Sequence, residues 1–150
     1  MRRVLASAVV ALLVAGCSAG PPPLPQPSPT GVVAQECAAV MAALPATVMG
    51  QGDRVVDGLV ATWGDPRISL RCGVEPPAGL DRTSPCDELN GIGWYSEEPG
   101  TAFASTWRFT TIGRSGYIEV MVDEGHSPAG DALMDLSGAV SKMMLVTPCA

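Results

Sequence analysis

The chain has 150 residues, with nine Lys and Arg against fifteen Asp and Glu, a formal net charge of −6 at neutral pH. That balance argues against nucleic acid as a partner and against electrostatic docking on anionic lipid. Lys142 is the single lysine beside abundant Arg, Ala, Val, Gly and Pro. This usage fits a high-GC genome and needs no functional reading.

Arg2 and Arg3 precede an apolar run of eleven residues, Val4 to Val14. A membrane span needs about 20 apolar residues, so the run has the dimensions of a secretory signal. It closes on Val14-Ala15-Gly16-Cys17. This resembles the lipobox of bacterial lipoproteins, an aliphatic residue and two small ones before a cysteine. The small residues let a signal peptidase approach the backbone, and the thiol supplies the nucleophile for a thioether to diacylglycerol. The resemblance implies a signal peptide over residues 1–16 and lipidation at Cys17. Acyl chains such as palmitate would then hold the protein, at ~0.8 kcal/mol per buried methylene. Ordinary secretion with cleavage after Ala19 is the competing reading. Loss of Arg2 and Arg3 leaves seven basic residues against fifteen acidic, near −8.

Residues 17–35 read as the lipidated cysteine and a tether. Pro21, Pro22, Pro23, Pro25, Pro27 and Pro29 favour polyproline II, at ~3.1 Å per residue a stalk reaching up to ~50 Å. Pro22 to Pro25 matches P-x-x-P, but a spacer is the simpler meaning.

Residues 36–150 form one domain. Cys37, Val40, Met41 and Leu44 recur at helical spacing, which predicts a helix over 36–44, stopped by Pro45. Residues 46–57 read as a loop. A strand over 58–63, a turn at Gly64-Asp65-Pro66 and a returning strand over 67–74 follow, with Ile68, Leu70 and Cys72 facing inward. Residues 75–89 read as a long loop. Further strands are expected over 90–95, 103–111 and 117–123. Phe103, Ser105, Trp107 and Phe109 share one face of the fourth strand. Ile118, Val120 and Val122 share one face of the fifth, opposite Tyr117, Glu119 and Met121. Gly113 to Gly116 is a tight connection. Ser127 is read as a helix cap and Pro128 as the first helical residue. Leu133, Leu136, Val140 and Met144 continue that helix, with Asp131 and Lys142 matching its dipole. The expected class is α+β: a mainly antiparallel five-stranded sheet packed against an N-terminal and a C-terminal helix.

Five cysteines become four once Cys17 is assigned to lipid. Cys37, Cys72, Cys86 and Cys149 then read as two disulfides in an oxidising compartment. Of the three connectivities, Cys72–Cys86 with Cys37–Cys149 is favoured, a short staple beside a strand and a clasp between the domain's ends. A metal site is the competing reading. It lacks C-x₂-C spacing and has a single histidine to draw on.

Several blocks together are familiar: Cys37 through Leu44-Pro45, Trp63-Gly64-Asp65-Pro66, Leu70-Arg71-Cys72-Gly73-Val74, Asn90-Gly91-Ile92-Gly93-Trp94, and Phe109-Thr110-Thr111-Ile112-Gly113-Arg114. They resemble an uncharacterised family of actinobacterial exported proteins, domain of unknown function 3515, over about residues 36–149. The resemblance implies an envelope protein and carries no activity or catalytic residues.

The residues themselves give no catalytic constellation. His126, beside Asp123 and Glu124, reads as a loop residue rather than a base. No serine stands in a Gly-x-Ser-x-Gly setting. The acidic pairs Asp87-Glu88, Glu97-Glu98 and Asp123-Glu124 lack calcium-loop spacing. Trp63, Trp94 and Trp107, with Arg71 or Arg108 nearby, suit a ligand groove, although strand parity favours core packing. Asp65 and Arg71 flank one hairpin and suit a structural pair.

The expectation is therefore a lipid-anchored, non-catalytic module on the extracytoplasmic face of the cell membrane. It needs no cofactor or metal, is a monomer, and meets an envelope protein or cell-wall partner. The alternatives are a carrier or sensor of a small or lipidic ligand in a tryptophan-lined pocket, and a carboxylate-dependent hydrolase.

Overall fold

In a computed structural model, which describes residues 22–65, 67–100 and 105–149, the elements run in chain order. They are α1 (Gly31–Ala42), β1 (Val55–Asp57), β2 (Val60–Trp63), β3 (Ile68–Val74), β4 (Asp87–Leu89), β5 (Ile92–Glu97), β6 (Thr106–Ile112), β7 (Tyr117–Asp123) and α2 (Gly130–Val140). The signal segment, Cys17, Pro21, Pro66 and Phe103 lie outside the described residues.

The class is α+β, as the hydrophobic pattern implies, but the antiparallel sheet has seven strands among the described residues rather than five. Their order is β1-β2-β3-β7-β6-β5-β4. The two unforeseen strands are the two edges. Each is three residues long and faces solvent, so neither carries the apolar alternation that marks a half-buried strand. Their turns did carry a signal. Asn90 and Gly91 have φ of 51° and 74°, the paired positive values that a two-residue type I′ hairpin needs. Gly58 opens the other two-residue turn at φ 55°. The hydrophobic pattern alone places both positions within strands.

The centre of the sheet is the pair β3–β7. Ile68 faces Val122, Leu70 faces Val120 and Cys72 faces Ile118. Both helices pack on this apolar side, which buries Trp63, Trp94, Leu133, Leu136 and Val140 in one core. Among the described residues no helix is long and apolar enough to cross a membrane.

α1 begins five residues before the expected start. Val33, packed against the core, extends the stripe of Cys37, Val40 and Leu44 by one turn. α2 begins later than expected. Ala129 is its N-cap, without a side-chain cap bond, and the Ser127-Pro128 peptide before it is cis. Ser127 and Pro128 therefore lie in the loop, where the Pro128 carbonyl accepts from the Asp131 amide at 3.1 Å. Lys142 and the exposed Met144 follow the helix rather than belong to it.

Four cysteines do form two disulfides, but the pairing is Cys37–Cys72 and Cys86–Cys149. The favoured pairs are corrected by topology. Cys72 points to the helix side of β3, where α1 lies, while Cys86 ends a loop on the far side of the sheet. The first bridge staples α1 to β3. The second lies over Gly93, where an added Cβ would stand 2.6 Å from the Cys149 sulfur.

The C-terminal segment runs back along the β6–β7 turn. The amides of Val146 and Thr147 both donate to the Gly113 carbonyl, at 2.7 and 2.9 Å. Gly113 has φ 73°, and a Cβ there would stand 1.8 Å from the Thr147 carbonyl oxygen. Left-handed backbone and backbone overlap act together at this position. Gly113→Val is expected to cost at least about 3 kcal/mol and lower the melting temperature by about 10 °C. Thermal unfolding followed by circular dichroism checks this.

Candidate groove on the open face of the sheet

The side of the sheet opposite the helices carries two cross-strand rows. One runs Asp57, Val60, Arg71, Glu119, Thr110, Tyr95, and the next Val55, Thr62, Ser69, Met121, Arg108, Glu97. Period-two alternation sends these residues away from the core. Yet Glu119, Thr110 and Ser69 are buried, and two segments lie over this side of the sheet.

The first is the proline-rich stretch before α1, whose later part is docked on the domain. The Gln26 side chain donates to the Asp57 carbonyl at 2.9 Å and accepts from the Leu59 amide at 3.2 Å. Arg71 Nη1 donates to the Pro25 carbonyl at 3.2 Å. Pro29 sits so close to Gly73 that a Cβ there would meet its ring at 2.4 Å. The expected free stalk through residue 35 is thus shortened to the residues ahead of this contact. The second segment is the 75–86 loop. It leaves the centre of the sheet at β3 and reaches the edge at β4, with Pro77 buried and Gly79 against the Tyr95 hydroxyl. Asp81 braces it by accepting from the Thr83 amide and hydroxyl, both at 2.8 Å. These bonds, led by the Thr83 hydroxyl, hold the Asp81 carboxyl below its usual range.

Between the two segments is a pocket of about 510 Å³ lined by Gln26, Ser28, Arg71, Glu75, Pro76 and Arg108, among others. Beneath it Glu119, 1 % exposed, accepts from Arg71 Nε at 2.7 Å and from Arg108 Nε at 2.5 Å. Arg108 also lies 3.6 Å from Glu97. Two arginines face two carboxylates, so the cluster is neutral. Each oxygen of the Glu119 carboxylate is thus taken up by a guanidinium. Nearby, the buried Thr110 hydroxyl makes no hydrogen bond among the described residues.

The residues singled out in the sequence fall as follows. Arg71 and Arg108 line a groove with Glu119 beneath it, and no tryptophan is among its lining residues. Asp65 sits exposed in the β2–β3 turn, so Arg71 pairs with Glu119 instead. Trp63 and Trp94 are fully buried in the core. The Trp63 indole donates to the Pro45 carbonyl at 3.2 Å, and Trp107 stacks on Phe109 at 5.9 Å between centroids. His126 sits in the loop between β7 and α2. Among the described residues no cluster of His, Cys, Asp and Glu is placed to hold a metal. Glu119 was missed as a site residue. Its alternation places it on the polar face, but only the sheet order sets it between Arg71 and Arg108.

No curated protein and no solved structure matches the chain. A family model described as "Protein of unknown function (DUF3515)" matches residues 3–149. With nearly its whole length matched, the chain belongs to that family.

Proposed function

We propose that this is an envelope lipoprotein anchored through Cys17, whose domain binds a protein or cell-wall partner in the open-face groove without catalysing a reaction. The anchor is supported by the signal-like run and by the even count of cysteines left to form disulfides. The observation that carries the binding reading is the groove over the Arg71–Glu119–Arg108 cluster. Its most buried carboxylate is spent on ion pairs, which favours recognition over hydrolysis. The filled core around Trp63 and Trp94 disfavours a tryptophan-lined carrier.

Cys17→Ala is expected to move the protein from the membrane fraction to the soluble one. Retention in the membrane would end the anchor reading. A photo-crosslinking residue at Ala78, on the groove wall, is expected to capture a partner in intact cells. The same residue at Met134, exposed on α2, is expected to capture none. Equal capture at both would remove the groove from the account.

A further inference from the structure

We infer that the β1 edge is the side this domain lays against the lipid surface. The inference rests on the Cys17 anchor proposed above and adds an orientation to it.

Three observations converge. The first is where the chain enters the domain. Pro22, Pro23 and Leu24 form one wall of a pocket of about 460 Å³ whose other wall includes Val55, Asp57, Val60 and Thr62 of β1 and β2. From Cys17 to Pro22 is five residues, a span of at most ~18 Å even when extended. The second is that this entry point is fixed. Gln26 bonds to both Asp57 and Leu59 at the β1–β2 turn, so the tether cannot swing the domain freely about Pro22. The acyl attachment point is thereby confined near β1.

The third is the contrast between the two edges of the sheet. β1 exposes Val55 (61 %) and Val56 (46 %) beside one carboxylate, Asp57, which accepts a hydrogen bond from Gln26, where edge strands are usually blunted by charge. β4 exposes Asp87 and Glu88, which an anionic bilayer repels. The edge with two exposed valines and one carboxylate therefore belongs at the headgroup boundary, and the edge with two exposed carboxylates away from it. The Arg71–Glu119–Arg108 groove begins two strands inward from β1 and so stays open to a partner while the edge is in contact.

Full-length lipidated protein in vesicles of phosphatidylethanolamine and phosphatidylglycerol with doxyl-labelled lipid tests this. A fluorophore is placed on Val56→Cys or on Glu88→Cys. Quenching at 56 is expected to exceed that at 88 several-fold, and Gln26→Ala is expected to bring the two together. Equal quenching in protein that co-floats with vesicles overturns the orientation and leaves the anchor standing. Failure to co-float overturns both. Because an added cysteine can disturb disulfide pairing, hydrogen exchange on unmutated protein gives a second reading. Residues 53–60 are expected to exchange several-fold more slowly on vesicles than in Cys17→Ala protein, with residues 85–90 unchanged. Protection of 53–60 that is absent on vesicles and arises only with an added protein strand would assign the edge to a protein partner and overturn the proposal.

Discussion

Glu119→Ala is expected to destabilise the fold by about 3–5 kcal/mol, the cost of leaving buried charge without its partner. The carboxylate is 1 % exposed and bonded to two guanidiniums. Its removal leaves Arg71 without its carboxylate beside Arg108, which keeps Glu97, so that two guanidiniums face one carboxylate under the groove. Against a total stability of about 5–15 kcal/mol, such a loss removes much of the folded population. Urea titration measures it as a fall in midpoint of about 1–3 M at an ordinary denaturant slope. Removing one guanidinium with the carboxylate, as Arg71→Met with Glu119→Leu, is expected to recover most of the loss, since Arg108 keeps Glu97 and the cluster stays neutral. If the double variant is as unstable as Glu119→Ala, the damage comes from lost shape and not from unbalanced charge.

Cys37→Ala with Cys72→Ala is expected to cost about 4 kcal/mol on the loop-entropy model, for a bridge whose ends are 35 residues apart. The model gives the 63-residue bridge Cys86–Cys149 a slightly larger value. The native consequences differ, because Cys37–Cys72 joins two elements of the core while the other pins a loop to a terminus. Loss of the first is therefore expected to loosen α1 and raise hydrogen exchange through 31–44. Loss of the second is expected to raise it through 75–86 and 144–149. Peptide mapping without reduction should recover 37 joined to 72. A fragment joining Cys37 to Cys149 would contradict the packing of α1 on β3.

How far the sequence could be read follows from which residues touch which. The five inner strands are legible because Leu70, Val120 and Phe109 must each bury one face and alternate accordingly. β1 and β4 are defined by a partner strand and not by their own side chains, so only their turns announced them. The cysteine pairing is not legible in the sequence for a related reason. Nearness in sequence suggested Cys72–Cys86, but these two lie on opposite sides of the sheet, and sidedness depends on where α1 packs. The docking of Gln26 on the β1–β2 turn has no signature in composition, because a proline-rich run looks the same whether it hangs free or lies on a surface.

The sheet order has a temporal consequence. The central partners β3 and β7 are separated by the whole of β4, β5 and β6 in the chain. During N-to-C synthesis, the β1–β3 meander comes first and has nothing to pair with on its inner side until β7 is made. Contacts of such long separation slow folding. Cys37 and Cys72 are both available from the outset and can tie α1 to β3 while that edge waits. Cys149 follows all seven strands and both helices among the described residues, so it can close on Cys86 only after those elements are made. The first bridge thus guards an unfinished sheet, and the second certifies a finished one.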